Sequence, residues 1–201
     1  MSHEIELKAW VDDCQELSAT LSRIAAFEFE YVKEDEYWFP VEGGSWDGPR
    51  SGLRVRKEKT IDADGAETDC ALATYKTKEI RDQIEVNDEH EFALAAPEGS
   101  SMEAALAAFE EFLGRLRLGR SFTKKKQGVS YKSGDITVEL SLVEHLGWFL
   151  ELEILSDDDD PCTIEAARES LLAFLDKAGI AREKIEPKYY SELLRERGKI
   201  A

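Results

Sequence analysis

Apolar and charged residues alternate one for one at the start of the chain. In "HEIELKAWV" an extended strand sets Ile5, Leu7 and Ala9 on one face and Glu4, Glu6 and Lys8 on the other. The period then changes. "DDCQELSATLSRIAAF" places Leu17, Leu21, Ile24 and Ala25 at helical spacing. Strand-like segments follow at 35–39, 52–58, 70–78 and 83–92, with the glycine-rich loop "EGGSWDGPRS" between the first two and a "DADG" hairpin turn at 62–65. Ser100 with Glu103 reads as a capping box that opens a helix striped by Met102, Leu106, Phe109 and Leu113. Three more strands, 120–131, 135–143 and 147–155, are joined by tight turns at "KSGD" and "EHLG". Asp160 as N-cap and Pro161 as first residue start a third helix along Ile164, Ala167, Leu171, Leu175 and Ala178, and "IEPKYYSELLRERG" suits a short fourth. Eight strands interrupted by few helices predict an antiparallel α+β fold rather than βαβ units. No linker divides the chain, so 1–201 is expected to form a single domain.

The same alternation recurs in the other strands. Arg54 and Arg56 share a face, as do Lys76 and Lys78, and Lys124 and Lys126. So do Glu85, Asn87, Glu89 and Glu91, then Glu139 and Ser141, then Glu151 and Glu153. Opposite them stand Leu53, Val55, Tyr75, Ile84, Val86, Val138, Leu140, Leu150, Leu152 and Ile154. A merely wet sheet face would mix signs along each strand, whereas these strands sort by sign. A closed or nearly closed eight-stranded β-barrel reconciles the pattern, with the charges lining a tunnel and the apolar face covered by helices outside. Unpaired ions in a dry interior would cost several kcal/mol each, so the lining calls for a charged guest and water. Converging bases suit a polyphosphate and converging carboxylates a hard divalent cation; a metal-chelated triphosphate satisfies both.

Charge and composition narrow the alternatives. A formal net charge of −17 and a pI near 4.6 disfavour nucleic acid and anionic membranes as partners. The start "MSHEIEL" has no basic region followed by an apolar run, and a cytoplasmic location is expected. Cys14, Cys70 and Cys162 are too scattered for a zinc site or a disulfide framework and are expected to be reduced, buried thiols. HExxH, GxSxG and Walker-type signatures are missing from the sequence. Trp10, Trp38, Trp46 and Trp148 read as packing residues, and Lys57, Lys59 and Lys125 as surface charges. Tyr189 and Tyr190 suit either closure of a tunnel mouth or docking of the tail.

Glu4-Ile5-Glu6-Leu7-Lys8 matches the ExExK signature of the CYTH superfamily, the triphosphate tunnel metalloenzymes. The resemblance continues through "LRVR", "TYK", "EVNDEHEF", "KKK" and "LGWFLELE", and "KYYSELL" resembles the tail of the class IV adenylyl cyclase branch. It implies that Glu4, Glu6, Glu151 and Glu153 bind Mg²⁺ or Mn²⁺, with Glu4, Glu6, Lys8 and Glu153 as the catalytic set. It also implies that Lys8, Arg54, Arg56, Lys76 and Lys124 grip the phosphates of a nucleoside triphosphate or polyphosphate; by parity Lys78 and Lys126 join them, and Glu85, Glu89 and Glu91 are candidate tunnel acids, with a solvated face the alternative for Glu91. Two positions depart from the family. Ser141 stands where many relatives carry Asp, which makes Glu139 the candidate substitute ligand, and Lys126 replaces the arginine of the usual KxR. The activity implied is that of a class IV adenylyl cyclase, making cyclic AMP and pyrophosphate from ATP. Hydrolysis of tripolyphosphate or thiamine triphosphate is the alternative, non-catalytic polyphosphate or nucleotide sensing is the second, and a homodimer is left open.

Overall fold

The computed structural model describes residues 2–42, 51–95 and 100–200. Among them are eight strands: β1 (Ser2–Trp10), β2 (Ala26–Pro40), β3 (Ser51–Asp62), β4 (Glu67–Arg81), β5 (Ile84–Ala93), β6 (Leu118–Ser133), β7 (Ile136–Val143) and β8 (Gly147–Ser156). Helix α1 (Cys14–Ile24) follows β1, α2 (Met102–Arg115) follows β5, and α3 (Pro161–Lys177) and α4 (Tyr190–Glu196) follow β8. The strands close into an antiparallel barrel in the order β1-β5-β4-β3-β2-β6-β7-β8, with β8 pairing back onto β1. Among the described residues no helix is long and apolar enough to cross a membrane.

Alternation decides which face is dry. Outward-facing Ile5, Leu7, Val138, Leu140, Leu150 and Leu152 pack against Leu17 and Leu21 of α1 and Leu171 and Leu175 of α3, all at most 3% exposed. A second cluster sets Leu106 and Leu113 of α2 on Trp38, Val55 and Ala71. A third joins Leu193 and Leu194 of α4 to Val143 and Phe149. Phe149 shares its parity with Glu151 and Glu153, so the inner face of β8 turns apolar near one end, where α4 covers it.

Local chemistry fixes the element ends. Asp13 caps α1 by accepting from the amides of Gln15 and Glu16, and Asp160 caps α3 with Pro161 next in line, as expected. The cap of α2 is Ser101, which accepts from the Ala104 amide, one residue later than the expected Ser100. The turn between β4 and β5, not foreseen, places Asp82 and Gln83 at φ 48° and 71°, as a tight primed hairpin requires.

The larger difference is β2. It begins at Ala26 rather than at 35, and the expected helix stops at Ile24. Between those points the usual polarity is inverted, since Val32 is 54% exposed while Lys33 is 6% exposed and faces the tunnel. Alternation of Phe27, Phe29 and Tyr31 with Glu28 and Glu30 still marks the strand, whose first two residues the expected helix overran. Cys162 is exposed rather than buried, because it sits in the first turn of α3, and Cys14 and Cys70 are half-buried free thiols. Most of the loop expected at 42–51, with Trp46, lies outside the described residues.

Candidate functional site: a charged chamber inside the barrel

Cross-strand register gathers the charges. Glu6 faces Glu85 of β5 on one side and Glu153 of β8 on the other, while Lys8 faces Glu151. Antiparallel partners share a face, so the acidic ends of β1, β5 and β8 form one wall. Lys76 of β4 reaches across to ion pairs with Glu4 and Glu89, and Asn87 Nδ2 donates to Glu4 Oε2 at 3.2 Å.

On β6, Lys126 Nζ lies 2.7 Å from Glu139 and 3.0 Å from Glu151. Ser141 donates to Glu151 at 2.7 Å, and the Tyr31 hydroxyl lies 2.6 Å from Ser141 Oγ while donating to Glu139 at 3.0 Å. Lys33 adds a contact to Glu139 at 2.5 Å. Ser141 is thus built into a buried network, and Glu139, the expected substitute ligand, is shared by two lysines.

The opposite wall is basic. Arg56 forks onto Asp35 at 2.6 and 3.1 Å, and Lys124 Nζ meets the same carboxylate at 3.1 Å. Arg54 donates to Thr74 at 3.1 Å and to Glu91 at 3.3 Å, and Thr74 donates to Glu91 at 2.7 Å. β2 carries Lys33 and Asp35 on one face, so the expectation that each strand sorts by sign fails there. Glu58 likewise shares the inner face of β3 with Arg54 and Arg56. Both mixtures follow from closure: without bulk water, each run of like charge needs an opposite charge from its neighbour.

Between the walls lies a cavity of about 650 Å³. All the sequence-predicted acids line it, as do all the predicted bases except Lys8. Lys8 is 2% exposed, paired with Glu85, and lies 5.5 Å from the centre of the Tyr190 ring. Through Tyr37, Arg54, Lys76, Lys78, Lys124 and Tyr190 this chamber shares its lining with a second cavity of about 680 Å³. That second space is more apolar. Tyr37 stacks on Phe122 at 4.4 Å between ring centres, Phe39 and Tyr189 complete its aromatic lining, and Lys78 sits 4.9 Å from the Tyr189 ring centre.

The sequence reading missed Lys33, Asp35, Tyr37 and Glu58. Asp35 and Tyr37 share a parity opposite to Trp38 within the predicted 35–39 strand, and Glu58 shares that of Arg54 and Arg56; extending the parity test would have found them. Tyr31 and Lys33 lie at 28–34, a stretch the sequence reading left unassigned, although Phe27, Phe29 and Tyr31 alternate with Glu28 and Glu30 and share the parity of Lys33, Asp35 and Tyr37.

Proton affinities follow the crowding. Burial, then the neighbouring Glu85, pushes the Glu6 carboxyl up to about 7. Burial, then Glu4, pushes Glu153 up to about 9. Burial also opposes ionisation of Glu4, but the Lys76 ammonium overrides it and holds that carboxyl well below the usual range. Glu85 is held down to about 2 because Lys8 and Lys78 outweigh its burial. Lys78 itself is lowered, chiefly by burial.

Among the described residues, no group of three or more His, Cys, Asp or Glu side chains already stands around a common ion position. The donor chemistry nevertheless fits a hard divalent cation. Glu4, Glu6 and Glu153 offer carboxylate oxygens side by side, and the protons that Glu6 and Glu153 retain express a repulsion that a cation would relieve.

A family model of the CYTH domain matches residues 2–190. Comparison with curated proteins gives no match. Among solved structures, a protein of Pyrococcus horikoshii OT3 superposes with TM-score 0.79 at 25% identity, covering 96% of this chain and 99% of its own. A candidate adenylate cyclase of Vibrio parahaemolyticus gives TM-score 0.74 at 18% identity, covering 96% and 97%. A candidate adenylyl cyclase of Hippeastrum, reported to have a dominant triphosphatase activity, gives 0.63 at 18% identity, covering 100% and 98%.

Proposed function

Because the chain belongs to the CYTH domain family, whose members are metal-dependent triphosphate-processing proteins, we propose that it is an enzyme acting on an organic triphosphate, most like a class IV adenylyl cyclase. The observation that supports this reading is that the two cavities adjoin, with six lining residues in common. The charged chamber suits a triphosphate, and the aromatic space beyond Tyr37 and Lys124 suits a nucleoside that inorganic tripolyphosphate lacks. Residues 1–201 then work as one unit.

In this reading Arg54, Arg56, Lys76, Lys124 and Lys126 bind and orient the phosphates. Lys78, poised at the join of the two cavities, neutralises charge on the leaving group. Lys8, buried on the inner face, acts by holding Glu85. Glu4, Glu6 and Glu153 hold Mg²⁺ or Mn²⁺, with Glu151 and Glu139 beside them as further carboxylates. A bound divalent cation supplies charge neutralisation at the phosphoryl oxygens. The 3′ oxygen of the substrate forms a bond to the α-phosphorus, the bond from that phosphorus to the bridging oxygen breaks, and pyrophosphate leaves with that oxygen. The 3′ proton passes to solvent or to a neighbouring carboxylate. The walls thus contribute positioning and preorganised charge.

The alternative is hydrolysis, in which water replaces the 3′ oxygen and attacks a terminal phosphorus. The network of Ser141 and Glu139 also keeps a binding-only role in view, since it occupies the place of a usual Asp. Chromatographic analysis after incubation with ATP, and separately with tripolyphosphate, plus Mg²⁺ or Mn²⁺ separates the three. Cyclic AMP with pyrophosphate supports the cyclase, and orthophosphate alone overturns it in favour of the triphosphatase. Tight binding without product leaves only the sensor.

A further inference from the structure

Among the described residues, Asp35 is the one carboxylate of the basic wall with no exposed surface, and it lines neither cavity. It stands on the inner face of β2, behind two residues that do line the chamber. Its oxygens take the Nε and Nη2 edge of Arg56 at 2.6 and 3.1 Å, and Oδ2 also meets Lys124 Nζ at 3.1 Å. Register supports the grouping, since Asp35 is the cross-strand partner of Arg56 on one side and of Lys124 on the other.

A carboxylate that grips one edge of a guanidinium fixes its plane and leaves the far edge free to meet another anion. A lysine has no plane to fix, but a buried anion sets where its ammonium comes to rest. One negative charge behind two positive ones leaves a net positive charge facing the chamber. We propose that Asp35 is a positioning residue, which holds Arg56 and Lys124 in a single arrangement toward the phosphates of the substrate. This rests on the triphosphate reading above.

The charge arithmetic separates positioning from simple binding or simple stability. Asp35→Asn removes a negative charge beside the phosphates, so affinity for tripolyphosphate, measured by calorimetry, is expected to hold or tighten. Turnover per folded molecule is expected to fall at least about tenfold, because the cations are no longer held in place. Loss of the buried charge could prevent folding, and Asp35→Glu covers that case: it keeps the charge but moves the carboxylate by one methylene, and turnover should again fall at least about tenfold with the barrel intact. Unchanged turnover per folded molecule in both variants overturns the proposal, as does a weakened affinity that accounts for the whole loss.

Should the wild type turn over no triphosphate, the substrate reading fails and a direct readout still decides. The Arg56 Nε–H signal in nuclear magnetic resonance, assigned by its loss in Arg56→Lys, is expected to exchange slowly in the wild type, to move when tripolyphosphate is added, and to be lost to exchange in Asp35→Asn. An Arg56 signal that exchanges equally fast in wild type and Asp35→Asn, or that ignores tripolyphosphate, overturns it.

Discussion

Glu6 of β1 and Glu153 of β8 are cross-strand partners on the inner face of a closed barrel, and both carboxyls keep their protons far above the ordinary carboxylate range, to about 7 and about 9. Burial is the larger cause, and the adjoining Glu85 and Glu4 add to it. The folded protein thus retains protons that the unfolded chain sheds above about pH 4.3. Stability contributed by these groups falls as pH rises from there through about 7 and about 9. A divalent cation that needs the ionised groups gains over the same interval. The rise in Tm on adding Mg²⁺ should therefore grow between about pH 6 and about pH 9; a gain independent of pH in thermal melts would argue against a carboxylate site.

Glu153→Gln imitates the protonated carboxyl that the folded protein holds at neutral pH. The variant no longer has to take up a proton on folding, so it should be more stable than the wild type by something on the order of 1 kcal/mol at neutral pH. Its turnover should fall at least about a hundredfold. Denaturant melts and product assays on the same preparation check both halves, and a variant both less stable and fully active contradicts the assignment.

Lys8 and Glu85 behave in the opposite sense. The Glu85 carboxyl is depressed to about 2, so its stabilising contribution is fully present above the unfolded value of about 4.3 and is lost as pH falls toward about 2. Glu85→Gln leaves the Lys8 ammonium buried without its partner, which should cost about 3–5 kcal/mol. Equilibrium unfolding of the variant measures this directly, and a loss below about 1 kcal/mol would mean the pair is solvated.

The aromatic cavity makes a claim about selectivity. Phe122→Ala deletes one member of the Tyr37 stack, an interaction worth about 1 kcal/mol. Any KM for ATP should rise roughly five- to tenfold, while values for tripolyphosphate should stay within about twofold. Equal losses for both substrates would place the organic group elsewhere.

Much of this arrangement was legible in the sequence because alternation and charge agreed. Where the outward face was apolar, as in Ile5 and Leu7 or Leu150 and Leu152, the inward face followed by parity alone, and that was enough to assemble nearly the whole charged lining. Asp35 and Tyr37 obeyed the same rule in a strand to which the test was not applied. Lys33 follows the same parity, and it is buried because Glu58 of neighbouring β3 and Glu139 of β7 meet it, while Val32 beside it faces outward. Lys8 was placed by motif at the phosphates, while its burial on the inner face against Glu85 depends on a strand 77 residues away in sequence. No local pattern carries that information.

Gly128 reports on how closely β6 and β7 approach. A β-carbon there would lie 2.1 Å from the Leu140 carbonyl oxygen and 3.0 Å from the Ser141 Cα. Backbone atoms cannot yield as a flexible side chain would, so Gly128→Ala must push the strands apart where Ser141 and Glu139 are anchored. The expected cost is about 1–3 kcal/mol, with a parallel loss of turnover. A thermal melt indistinguishable from wild type would show that the strands can separate freely.

The central claim is that the interior of the barrel holds a metal and a triphosphate together. The most direct measurement is a crystal structure grown with Mn²⁺ and a non-hydrolysable ATP analogue, with anomalous scattering used to locate the metal. The account predicts Mn²⁺ on the carboxylates of Glu4, Glu6 and Glu153, phosphates against Arg54, Arg56, Lys76 and Lys124, and the base beside Tyr37 and Phe122. A metal and nucleotide bound on the outside of the barrel, with the interior ion pairs undisturbed, would contradict it.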